Sequence, residues 1–412
     1  LGERRLHHLG VARPRSCPQR SNHVATLKPS NGEMFMLKMP LSSDSHVTEP
    51  PDLYARFIDA KYLDVVPTLL HDPVRGDRIN IPGGGLPISV GVIAAAGKDP
   101  REITNRGATF DKMHRGGWDP KARMGDQDRD GIGGEILYPT VGMALCAHPD
   151  GDYRRACFRA YNRWLLEYTG EFPDRLWGIA QLQVDQNMER VIADVREIAA
   201  QGFRGVMIPA APIGWEECDY DHPAYDPFWE AVSDLGLPVS LHIATGSQYA
   251  IGVAKQRGPR ICNMVQILRA NQDIIMLMTF GGVFSRHPRL KLVSVEADAG
   301  WVPHMMYRMD HVYNHHRFWN RAGDLNFDRK PSDYVRENCY FTFQDDVTAY
   351  QFKDHLNIKH LLWATDFPHS DSTWPRSMEL LDRHTHGILG NDERNLIVHD
   401  NLVELYKLKL AA

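Results

Sequence analysis

Cysteine is sparse in this chain and never closely spaced. The six residues stand at 17, 146, 157, 218, 262 and 339, with no C-x-x-C pair among them. That spacing excludes a disulfide scaffold and a thiolate metal site, and implies reduced, mostly buried thiols in a cytoplasmic protein. Long apolar runs are also missing: the best stretch, 274–280, ends at Gly281, Gly282 and Arg286, far short of the roughly 18 residues a membrane span requires. Nor is there a surplus of positive charge. Lys and Arg total 47 against 52 Asp and Glu, a formal net charge of −5, which leaves no broad basic surface for nucleic acid. The partner to expect is a small molecule.

What is present is an ordinary globular composition, 43% apolar and 24% charged over 412 residues, with 20 histidines that invite a search for metal ligands. Residues 1–35 are rich in Arg, His, Ser and Pro and carry only Glu3 and Glu33 as acids; they are expected to be a disordered extension, a leader or a start-site artefact. From there to residue 412, short β-type runs alternate with amphipathic stretches, the pattern of parallel strands joined by helical crossovers. Eight strand candidates stand out: 37–43, 135–141, 176–184, 205–209, 238–243, 290–296, 339–344 and 360–365. Helical periodicity over 188–200 and 227–235 ends at Gly202 and Gly236. Eight such units predict a (β/α)8 barrel. The alternative, a doubly wound open sheet, expects a Gly-rich phosphate turn after its first strand, and this chain has Asp44-Ser45-His46 there. Residues 50–118 are too long for a strand-to-helix connection and are expected to form an insertion over the barrel mouth.

The chemistry-bearing residues lie at the predicted strand ends. In Asp44-Ser45-His46, positions i and i+2 share one side of a strand, which suits two metal ligands. His242 closes an apolar fifth strand, and Asp366 follows the eighth strand in a loop containing Pro368. Singly, each has an ordinary structural role as a cap, turn or core residue. Together they put two imidazoles and two carboxylates at one barrel face, a donor set without thiolate that suits Zn²⁺ first and Mn²⁺ second. A calcium loop beginning at Asp126-Gln-Asp128-Arg-Asp130-Gly131 is rejected. Leu137 stands where that loop needs a bidentate Glu, so a helix end turning through Gly131 is expected instead.

In these motifs the sequence resembles the amidohydrolase superfamily, in the branch of aminocarboxymuconate semialdehyde and resorcylate decarboxylases. The carriers are Ser43-Asp-Ser-His-Val-Thr-Glu-Pro-Pro-Asp52, Pro238-Val-Ser-Leu-His242, Arg286-His-Pro-Arg-Leu-Lys291, Gly300-Trp-Val-Pro303 and Ala364-Thr-Asp-Phe-Pro-His369. The resemblance implies a distorted barrel holding one divalent metal on Asp44, His46, His242 and Asp366, and a homodimer. The carboxylated lysine that binuclear relatives place after strand four has no counterpart in Phe203-Arg-Gly-Val-Met-Ile-Pro209. Where many relatives have a histidine after strand six, this chain has Glu296. Glu296 is therefore the first choice for proton carrier, with His222 and His369 behind it.

The implied reaction is non-oxidative decarboxylation of a small aromatic or unsaturated carboxylic acid. The alternative is hydrolysis of an amide, lactone or C–C bond by metal-activated water, with Asp366 taking the proton; an inactive binding barrel would predict broken ligands. His369, Trp301, Trp118 and Trp374 are candidates to wall the substrate, and Arg56, Arg106 or Arg123 to pair its carboxylate.

Overall fold

A computed structural model describes residues 37–410 apart from 105, 247–257, 260 and 320–326. The extension expected over residues 1–35 lies outside the described residues. Among the described residues, no helix is long and apolar enough to cross a membrane.

The strands, in chain order, are β1 (Leu41–His46), β2 (Thr68–Leu70), β3 (Arg78–Asn80), β4 (Ile88–Ser89), β5 (Gly134–Tyr138), β6 (Leu176–Gly178), β7 (Ala180–Gln181), β8 (Val206–Met207), β9 (Val239–His242), β10 (Leu292–Val295), β11 (Cys339–Phe343) and β12 (Leu361–Trp363). One parallel sheet runs β1-β5-β6 and another β12-β11-β10-β9-β8-β7. All eight predicted strand regions are occupied, the third of them by β6 and β7 with Ile179 between. Ile179 N–H donates to Leu137 O on one side, and Ala180 N–H to Gly205 O on the other. At the opposite margins, Asp366 N–H donates to Asp44 O at 2.9 Å and His46 N–H to Phe367 O at 2.7 Å. The architecture is α/β with parallel strands.

The later strands read VSLH, LVSV, CYFTF and LLW, are buried throughout, and show the near-continuous apolar pattern of strands covered on both faces. Helices supply the cover. In Met188–Ala200, Asn187 caps the first turn by accepting from Arg190 N, and Val191, Val195 and Ile198 face inward at helical spacing. Burying each of those side chains contributes about 2 kcal/mol. Gly202, just beyond this helix at φ +87°, and Gly236, which ends Asp226–Leu235 at φ +66°, adopt the left-handed turn that suits glycine. The rejected calcium segment is the end of helix Pro120–Asp130, with Gly131 as its left-handed cap.

One expectation is corrected and one segment gains detail. The first strand is Leu41–His46, not 37–43, so Asp44 and His46 lie within it. Parallel pairing of Ser45 and His46 with Leu137 and Tyr138 holds them there, and the register slips by one residue between Ser42 and Ser45. Such a bulge re-aims the side chains beside it. The long segment after β1 holds an antiparallel sheet, β2-β3-β4, whose strands of two or three residues are too short to leave a periodic signal. Beyond it, Ala96 N–H donates to Pro368 O at 3.0 Å, so this segment meets the loop that follows β12.

Candidate metal centre

Four chain regions bring donors to one place. β1 contributes Asp44 and His46, β9 ends in His242, Glu296 directly follows β10, and the loop after β12 supplies Asp366 and His369. Two overlapping groups of candidate ligand atoms lie within 4.8 Å of one another: Asp44, His46, His242 and Glu296, and His46, Glu296, Asp366 and His369. His46 Nε2 stands 3.5 Å from both Asp44 Oδ1 and Asp366 Oδ1, and His242 Nε2 stands 3.5 Å from Asp44 Oδ1 and 3.6 Å from Glu296 Oε2. Glu296 and Asp366 have left-handed backbones, with φ of +57° and +53°. For non-glycine residues this costs on the order of 1–3 kcal/mol each, strain of the kind found at functional sites.

Hydrogen bonding sets the direction of both imidazoles. His46 Nδ1 lies 2.9 Å from Pro139 O, and His242 Nδ1 lies 3.2 Å from Ile243 O. A carbonyl only accepts, so in the neutral rings Nδ1 carries the hydrogen and Nε2 presents its lone pair. The two Nε2 atoms are 3.2 Å apart. Lone pairs at that separation have nothing to share unless a proton or a cation lies between them. The carboxylates make the same point: both oxygens of Asp44 and both of Asp366 are buried and accept no hydrogen bond. Buried polar atoms are almost always paired, so four such orphans beside two lone pairs fit a divalent cation.

The electrostatics follow from crowding acids away from water. Burial pushes the Asp366 carboxyl well above the usual range, and Asp44 and Asp371 add to it. Burial, then Asp366 and Asp44, does the same to Glu296. His46 is held well below the usual imidazole range by burial, then by His369 and His242, so it stays neutral. Burial lowers His369 to about 4. Its ring stacks on His46 with centroids 3.8 Å apart; Nδ1 lies 3.0 Å from Asp366 Oδ1 without hydrogen-bond alignment, and Nε2 lies 3.0 Å from Thr140 Oγ1.

Other expected residues make contacts of their own. His222 is exposed and accepts from Ala224 N as the cap of a short turn, outside both donor groups. Trp118 packs on Phe110, while Trp301 donates to Ala297 O and meets Phe341 edge-on; both are half-buried. Trp374 donates to Asp126 O and packs on Phe367. Arg56 pairs with Glu167 and Arg106 is exposed. Arg123, a candidate partner for substrate carboxylate, is fully buried on Glu135. Sequence reasoning missed Thr140 and Glu49. The Glu49 carboxylate accepts from the N–H groups of Thr140, Val141 and Gly142, and its position three residues after His46 was the available signal.

A family model described as amidohydrolase matches residues 96–408. The chain belongs to the amidohydrolase family. The match contains His242, Glu296, Asp366 and His369, while Asp44 and His46 precede it. A gamma-resorcylate decarboxylase of Polaromonas sp. (strain JS666) is 26% identical over 257 residues, 58% of this chain and 74% of the relative. A 2-amino-3-carboxymuconate-6-semialdehyde decarboxylase of Dictyostelium discoideum is 27% identical over 50% of this chain and 55% of its own length. Among solved structures, an amidohydrolase of Mycobacterium avium subsp. paratuberculosis K-10 superposes with a TM-score of 0.71 at 21% identity, covering 89% of this chain and 99% of that one. A dihydroxybenzoic acid decarboxylase of Polaromonas sp. JS666, solved with manganese and the inhibitor 2-nitroresorcinol, gives 0.59 at 18% identity, covering 90% and 98%. This amidohydrolase thus shares its fold with both, and its donors stand on its parallel strands or in the segments that directly follow them.

Proposed function

We propose that this amidohydrolase is a metal-dependent, non-oxidative decarboxylase of a small aromatic or unsaturated carboxylic acid. The observation that carries the reading is the set of four unpartnered oxygens on Asp44 and Asp366 facing the Nε2 atoms of His46 and His242. These four residues would hold one divalent cation, Zn²⁺ or Mn²⁺; the manganese in the Polaromonas decarboxylase supports the second. The frame is a closed (β/α)8 barrel with residues 50–118 as its insertion. Supporting closure, β6 runs into β7 across Ile179, and β1 meets the end of β12 through Asp44 and Asp366.

When bound, the metal supplies positive charge that stabilises the electron-rich state of the substrate. The protein's own contribution is a proton held ready at that charge. Burial and two neighbouring acids disfavour the anion of Glu296 and so favour its protonated form. Its carboxyl proton passes to the carbon that bears the substrate carboxylate, forming a C–H bond. The C–C bond then breaks, CO₂ departs, and the electron pair of that bond restores the unsaturated system. Solvent reprotonates Glu296. His46, Asp44 and Asp366 are fully buried, so bulk water has little access to compete.

The test is metal-depleted protein reloaded separately with Zn²⁺ and Mn²⁺ and offered a panel of 2-hydroxybenzoate-type acids, with CO₂ release measured. Metal-dependent CO₂ release is expected. Cleavage of amides or lactones without CO₂ would replace this reading with the hydrolase one, and metal binding without turnover on either panel would favour a binding role.

A further inference from the structure

Behind the donor cluster, on the other side of β1, lies a second buried polar network whose charged groups are paired. Its centre is the Arg123–Glu135 pair, with Nε 2.6 Å from Oε2 and neither side chain more than 3% exposed. Gln127 Nε2 donates to the same carboxylate at 2.6 Å, and Ser45 Oγ donates to its other oxygen at 3.0 Å. Arg123 does not stop at its counter-ion. Nη1 donates to His46 O at 2.7 Å and to Gly116 O at 3.4 Å, and Nη2 donates to Phe367 O at 3.4 Å. The guanidinium also lies over the Phe367 ring, 4.7 Å from its centroid. Gly116 permits this approach, since a Cβ there would come 3.1 Å from Arg123 Cα and 2.3 Å from Asp126 Oδ2.

The carbonyls that Arg123 grips matter most. His46 is a donor residue, Phe367 directly follows Asp366, and Phe367 O also accepts from His46 N. One planar cation therefore clasps the junction where the two donor-bearing segments meet, and Glu135 ties that clasp to β5. A hydroxyl cluster extends the join: Ser42, Ser45 and Thr365 Oγ atoms lie 2.9–3.0 Å apart, and Ser42 Oγ donates to Asp44 O at 2.8 Å.

We propose that Arg123, seated on Glu135, is a positioning residue that sets the separation of Asp44 and His46 from Asp366 and so sets the affinity of the centre for its cation. This rests on the metal site proposed above. Guanidinium is suited to the task because it offers five donors in a rigid plane, whereas lysine offers a point charge on a flexible stem. Groups that orient metal ligands typically change metal affinity by about 10- to 100-fold when removed.

The test measures the Mn²⁺ dissociation constant by chelator competition for wild type, Arg123→Lys, the charge-neutral double variant Arg123→Met with Glu135→Gln, and Asn338→Ala. Asn338 donates to Leu290 O and Pro288 O just ahead of the N-terminal ends of β10 and β11, so its loss destabilises the fold away from the donors. Circular dichroism checks folding. Arg123→Lys and the folded double variant should bind Mn²⁺ about 10- to 100-fold more weakly, while Asn338→Ala lowers the melting temperature and leaves affinity unchanged. Wild-type affinity in Arg123→Lys, or an equal loss in Asn338→Ala, overturns the proposal; should the double variant fail to fold, Arg123→Lys decides alone. Wild type that binds no metal overturns the metal site itself, an outcome separate from the failure of Arg123 as its positioning residue.

Discussion

Asp44 and Glu135 belong to neighbouring parallel strands, both almost wholly buried, yet their surroundings are opposite. Glu135 accepts from Arg123, Gln127 and Ser45, and Glu49 nearby accepts three backbone N–H groups. Asp44 accepts nothing, and neither does Asp366. Alternation along β1 divides the two: Ser45 turns to Glu135, while Asp44 and His46 turn to His242. A buried carboxylate that is fully hydrogen-bonded holds the fold together, whereas one left bare, among other acids and lone pairs, destabilises the metal-free fold and is kept for a ligand.

The largest way to break this contrast is at the bare acids. Asp366→Asn should reduce kcat by about 10³-fold or more while the circular dichroism spectrum is unchanged, since both a donor and its charge are lost. An active variant would remove Asp366 from the chemistry. His242→Ala should lower bound metal from about one equivalent towards none, read by elemental analysis; unchanged stoichiometry would move the donor set elsewhere. On stability, the two kinds of acid should give opposite signs in metal-free protein. Glu135→Gln strands the Arg123 guanidinium and should cost about 3–5 kcal/mol in denaturant unfolding. Asp44→Asn relieves repulsion among the clustered acids and should be neutral or stabilising, by about 1 kcal/mol. Loss of stability in both would dissolve the distinction.

Much of the bare half could be read from the chain, and little of the satisfied half. Asp44, His46, His242 and Asp366 each stand at the end of a β-type run, so the strand pattern alone predicts that they share a barrel face. Glu296 stood out because it occupies a position where relatives have histidine. Arg123 gave no such signal: its partners are His46, Glu135 and Phe367, up to 244 residues distant, and no local period links them. Likewise Thr365 meets Ser42 across 323 residues. A polar strand such as LSSDSH reads as surface by composition, yet every residue in it is buried, because its partners come from distant segments. The short strands β2, β3 and β4 were missed for the converse reason: two or three residues are too few for any period.

The finest difference between acids should be visible in pH dependence. Asp366 and Glu296 have folded-state pKa values raised above the unfolded carboxylate range of about 4, so the folded chain binds more protons than the unfolded chain. Their stabilising share is complete below about pH 4 and is lost as pH rises through the folded values. Asp130 behaves the same way over a narrower window. Burial raises it to about 6, although it accepts from Ser377 N and Oγ, and it lies outside both donor groups. These acids should therefore make metal-free protein less stable as pH rises from about 4 into the neutral range, against an opposite contribution from His360 and His369, which burial lowers to about 4. Saturating metal should remove the part due to Asp366, because the cation favours its ionised form. Part of the slope left between about pH 4 and 6 belongs to Asp130, and Asp130→Asn should remove that part in metal-loaded protein. A slope that metal leaves untouched would mean that the acids at the centre are not where the cation binds.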